Sequence, residues 1–133
     1  MITYEHAQQA LTKWRHKLLI PPNWQIDLLV LPADEMEDTL GRCSWGHIPN
    51  AEYRIRVRQD LTPEELDWTM AHELLEALMA SYAGFVEEHV FAKQLGNKGL
   101  LRYLVKQHAE IRDTIIEHML CVLIGQKRPM RIY

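Results

Sequence analysis

The stretch 62–82, TPEELDWTMAHELLEALMASY, constrains the fold more than any other part of the chain. Thr62 suits a helix N-cap, Pro63 suits the first helical position, and Glu65 is placed to complete a capping box. The residues that follow, Met70, Ala71, Leu74, Leu75, Ala77, Leu78 and Met79, leave such a helix apolar on nearly every side. A helix of that kind must be enclosed by the rest of the chain. It is expected to run to about Tyr82, with Gly84 placed to stop it.

The segments around it supply the enclosure. Ala7, Ala10, Leu11, Trp14 and Leu18 recur at helical spacing from Tyr4 to Leu19, and Pro21-Pro22 forbids continuation. From Trp24 the period changes to two: Trp24, Ile26, Leu28 and Val30 alternate along a strand that Pro32 ends. An acidic connection, Ala33 to Asp38, leads to a shorter strand segment, Leu40 to Trp45. Ala51 to Arg58 then alternates Tyr53, Ile55 and Val57 with Arg54, Arg56 and Arg58, a second clear strand paired with the shorter one across Gly46 to Asn50. After the central helix come a shorter helical stretch, Phe85 to Leu95, and a longer one from Leu100 to about Ile124 with a break expected near Gln107. The pattern predicts one α+β domain over 1–133: an N-terminal helix (1–20), a sheet region (24–58), a helical region (62–125) and a peripheral basic tail (126–133). Its small sheet, antiparallel or mixed, packs against the central helix and the further C-terminal helices.

Composition narrows the functions open to this fold. At 133 residues and 47% apolar content the chain supports a single core. Fifteen basic against eighteen acidic residues give a formal charge of -3, so no global positive field favours nucleic acid. The arginine alternation of 54, 56 and 58 reads as the solvent face of a strand beside acidic surface. Cys43 and Cys121 are far apart and outside any Cys-x-x-Cys spacing, which argues against a disulfide framework or a thiolate zinc knuckle and suits a reducing cytoplasm. The charged N-terminal segment does not read as a secretion signal, and no run approaches the ~18 apolar residues that a membrane span requires.

One cluster carries chemistry. His72 and Glu76 lie one turn apart on the same helix face and can converge on one ion, while Glu73, about 100° round the helix, can reach a water on that ion. This is the logic of the His-Glu-x-x-His helix, two ligands with a general base between them, with glutamate standing at the second ligand position. A His-Glu-Glu group enclosed by apolar neighbours needs a compensating charge, and a divalent cation supplies one. A catalytic zinc usually keeps three protein ligands. Glu117 and His118, isolated within Ile115, Ile116, Met119, Leu120, Val122, Leu123 and Ile124, are the candidates for the third, with Glu117 first and His118 as runner-up. His6, His16, His89 and His108 sit among polar residues and read as surface, and the four tryptophans as core or interface aromatics.

The strand AEYRIRVR, the helix HELLEALM and the later DTIIEHMLCVLIG follow one another as in the zincin-like metallopeptidases, and over roughly residues 40 to 125 the chain resembles the small cytoplasmic, phage- or prophage-encoded members that carry His-Glu-Leu-x-His. The resemblance implies His72 as first ligand, Glu73 as general base, Glu76 in the second ligand position and Glu117 as third, with a peptide or protein substrate pairing along a cleft-edge strand before the helix. It implies Zn²⁺, although the oxygen-rich set suits Mn²⁺ or Fe²⁺ as well. Glu76 departs from the family pattern and brings the charge of a zinc site with two glutamates to about zero, which weakens its Lewis acidity. Two functions therefore stand side by side: a metal-dependent peptidase, and a catalytically inactive scaffold serving phage interaction or assembly. A helical binding domain without metal is a third.

Overall fold

The computed structural model describes residues 1–45, 52–85 and 98–124. Along these the chain forms α1 (Tyr4–Lys17), β1 (Gln25–Leu31), a 3-10 turn (Ala33–Glu35), β2 (Gly41–Trp45), β3 (Glu52–Arg58), α2 (Pro63–Phe85) and α3 (Lys98–Ile124). The architecture is α+β, a mixed three-stranded sheet with helices, as the alternation of sequence periods predicts. The expected short helix after Phe85, the turn at Gly46 to Asn50, the tail 126–133 and His89 lie outside the described residues.

The strands are ordered β1-β3-β2, with β1 parallel and β2 antiparallel to β3, and Ile55 faces Leu28 on one side and Cys43 on the other. Period two then sorts β3 into two faces: Tyr53, Ile55 and Val57 are buried toward the helices, and the arginines point away. Arg54 meets Asp27 of β1 at 3.0 Å and Arg58 meets Asp60 at 2.7 Å. The resemblance places the strand before the motif helix at a cleft edge; here that strand is β3, and β1 and β2 occupy both of its hydrogen-bonding sides. The outer strand packed against α2 is β2.

The caps form as the sequence predicts. Thr62 Oγ1 accepts from the Glu65 N–H at 3.2 Å, and Glu65 Oε1 accepts from the Thr62 N–H at 2.9 Å. A second capping box, Thr3 with His6, starts α1, so the exposed His6 is a capping residue. Ala7, Ala10, Leu11 and Trp14 of α1 join Leu66, Met70, Leu74 and Leu75 of α2 and Leu28, Ile55 and Val57 of the sheet in one core. Trp14 buries its ring there and donates its indole N–H to Asp67 at 3.1 Å; Asp67 also receives Lys13 at 2.7 Å. This tie joins α1 to α2.

Two helices depart from expectation. α2 continues through Gly84 to Phe85, and α3 is unbroken at Gln107. Ile116 and Leu120 anchor α3 in the core, while Ile115, Met119 and Val122 are exposed. The apolar run of α3 thus covers two faces, of which one is buried. Glu117, expected deep within that run, is half-buried, and His118 is exposed. Among the described residues no helix is long and apolar enough to cross a membrane.

Candidate metal centre

The site forms where β2 meets α2, and a glycine sets the separation. A Cβ on Gly41 would lie 3.3 Å from Glu73 Oε1 and 3.3 Å from the Arg56 carbonyl oxygen, and would collide with the Thr69 methyl group. Only a residue without a side chain lets the strand lie this close to the helix. Two positions along, the Cys43 backbone N–H donates to the Glu73 carboxylate. Strand alternation puts Gly41 and Cys43 on one face of β2, and helical spacing puts Thr69 and Glu73 one turn apart on the face of α2 opposite them.

Glu73 is the innermost member of the cluster. It is 2% exposed, and its Oε2 has no hydrogen-bond partner. Burial pushes its carboxyl well above the usual carboxylate range, and the neighbouring Glu76 and, more weakly, Asp113 push the same way; the Cys43 N–H and the Arg42 guanidinium oppose them without prevailing. The Cys43 thiol is pushed up by its own burial and by Glu73 and Glu76, so it is held neutral beside the carboxylates.

His72 and Glu76 stand nearer the opening, both half-buried, with His72 Nε2 3.6 Å from Glu76 Oε2. Ligand atoms of His72, Glu73 and Glu76 all lie within 4.8 Å of one another, the group among the described residues that can hold a metal ion. Asp113, Glu117 and His118 lie outside it. From α3 the residue whose charge bears on Glu73 is Asp113, one turn before Glu117.

The donor set fits a divalent cation. A buried carboxylate with one oxygen unpartnered, beside a second carboxylate and an imidazole, is costly for a protein to hold without a positive charge. One imidazole nitrogen and carboxylate oxygens are donors that divalent metal ions accept. Sequence spacing identifies His72, Glu73 and Glu76; it misses Gly41, Cys43 and Asp113. Gly41 and Cys43 come from a strand whose alignment on the helix no local pattern encodes. Asp113 carried a usable signal, since it precedes Glu117 by four residues and so shares its side of α3.

Comparison of the chain with protein-family models, with curated proteins and with solved structures finds no match.

Proposed function

We propose that the chain is a metal-dependent hydrolase of the zincin kind that cleaves peptide bonds, with His72 and Glu76 as metal ligands and Glu73 as general base. The observation that carries this reading is the Glu73 carboxylate, almost wholly buried, with Oε2 unpartnered and the carboxylate in one group with His72 and Glu76. A structural glutamate in that position would have its oxygens satisfied. A base needs one free.

The third ligand is assigned to Glu117 of α3, with His118 as runner-up, and either would have to close on the His72–Glu76 pair when the metal binds. A divalent cation in this site supplies Lewis-acid polarisation of a carbonyl and acidification of water. The rest is done by the chain. Glu73 takes a proton from water through Oε2 and passes it to the leaving amine. The Cys43 N–H holds the carboxylate in place through the transfer, and Gly41 keeps the strand close enough for that N–H to reach. Apolar residues behind Glu73, among them Met70, Leu74 and Ala77, exclude bulk water and raise its basicity.

A second reading, an inactive scaffold with a role in interaction or assembly, is favoured by Glu76 itself. A second carboxylate ligand lowers the net charge of the centre and so its power to acidify water. Peptidase assays on a mixed peptide library with added Zn²⁺, Mn²⁺ or Fe²⁺ separate the two. The hydrolase reading predicts turnover that Glu73→Gln abolishes while metal binding persists. Metal binding without turnover of any peptide would favour the scaffold, and turnover surviving in Glu73→Gln would remove Glu73 from its role. Glu117→Gln is expected to weaken metal binding; unchanged binding in that variant, with weakened binding in His118→Ala, would move the third ligand to His118.

A further inference from the structure

One buried polar group stands beside the site without a part in it. Thr69 is 0% exposed, and its Oγ1 has no hydrogen-bond partner. Its neighbours along α2, Trp68, Met70 and Ala71, are buried and apolar. A valine would fill the same space without taking a hydroxyl out of water, and a buried hydroxyl left unpaired is destabilising. Such a group in a folded protein calls for a partner.

The position of Thr69 on α2 points to that partner. At about 100° per residue Thr69, His72, Glu73 and Glu76 all lie within about 100° of one another around the helix, with Thr69 one turn before Glu73. The Thr69 methyl and Glu73 Oε1 close on the same point of β2: a Cβ on Gly41 would collide with the first and stand 3.3 Å from the second. The two side chains are therefore neighbours, and each keeps one buried oxygen unpartnered, Thr69 Oγ1 and Glu73 Oε2. Among the described residues no other buried side-chain oxygen lacks a partner. Two such oxygens on adjacent turns of one helix face suit a shared water, since a water held in a protein interior needs two to four polar partners. A hydroxyl can accept from that water or donate to it, and a carboxylate oxygen accepts.

We propose that Thr69 is a positioning residue: its hydroxyl and Glu73 Oε2 together hold the water from which Glu73 takes a proton. The use of that water rests on Glu73 being the general base. Its binding does not, and the two are tested apart.

A high-resolution crystal structure of the protein in chelator should show an ordered water within hydrogen-bond distance of both Thr69 Oγ1 and Glu73 Oε2, present also in Thr69→Ser and lost in Thr69→Val. In chelator, Thr69→Val should lower the folding equilibrium constant by about tenfold, because the water loses one of its two partners and Glu73 Oε2 is left bare. A hydroxyl that serves nothing predicts the opposite sign, with valine the more stable. Wild-type density without the water, or a Thr69→Val protein as stable as wild type, would overturn the proposal whether or not the chain is an enzyme. In turnover, Thr69→Val should lower kcat by about tenfold or more with KM little changed, and Thr69→Ser should restore most of it. An unchanged kcat in Thr69→Val would overturn its part in the reaction. Absence of turnover with the water in place would count against Glu73 as base and not against the site that Thr69 and Glu73 share.

Discussion

Replacing Glu73 by glutamine in metal-free protein tests the electrostatics of the site without assuming an activity. The side chain is 2% exposed with Oε2 unpartnered, and its carboxyl is raised by burial first and by Glu76 second. In the unfolded chain Glu73 ionises near the ordinary glutamate value of about 4.3. In the folded chain it keeps its proton well beyond that. Between the two values the native state holds one more proton than the unfolded state, so the contribution of Glu73 to stability is full below the ordinary value and is lost as pH rises toward the folded one. The loss runs at about 1.4 kcal/mol per pH unit. Glutamine is close in shape and has no proton to lose. Urea unfolding of wild type and Glu73→Gln, both in chelator, at intervals from acid to neutral pH should show the variant gaining on wild type by that slope through the window. A difference between the two that does not change with pH would refute the reasoning, because it would mean that Glu73 ionises alike in both states.

Two further substitutions test the frame around the site. Gly41→Val should destabilise the fold by about 1–3 kcal/mol through overpacking against Thr69 and the Arg56 carbonyl. Thermal denaturation reads the effect, and an unchanged midpoint would count against the close approach of strand and helix. Asp67→Ala should cost about 1–3 kcal/mol, since the indole N–H of the buried Trp14 loses its acceptor and the Lys13 ion pair goes with it. Lys13→Ala should cost under about 1 kcal/mol, because that pair is solvent-exposed. Equal losses in the two variants would show that the tie between α1 and α2 is the ion pair.

Much of the fold is legible in the chain because its signals are local. The capping box at Thr62 and Glu65, the alternation from Tyr53 to Val57 and the prolines after α1 each fix an element within a few residues of themselves. The order of strands is not local. Alternation shows that β1 and β3 have buried faces, but both parallel and antiparallel partners satisfy it, and β3 proves to be central. α3 misleads for a related reason: a helix apolar on two sides has the same composition whether both sides meet one core or one meets solvent. At the site, His72, Glu73 and Glu76 are within one turn of each other and helical geometry brings them together whatever the tertiary fold. Gly41 and Cys43 join them only through the packing of a strand on that helix.

The central claim, that His72, Glu73 and Glu76 form a metal centre, is tested most directly by metal content. Protein produced without a histidine tag and without chelators should carry about one divalent ion per chain by elemental analysis, and His72→Ala, with native circular dichroism, should carry far less. Wild type free of metal after such a preparation, and failing to take up Zn²⁺, Mn²⁺ or Fe²⁺ on titration, would contradict it; so would a His72→Ala variant that keeps the wild-type content.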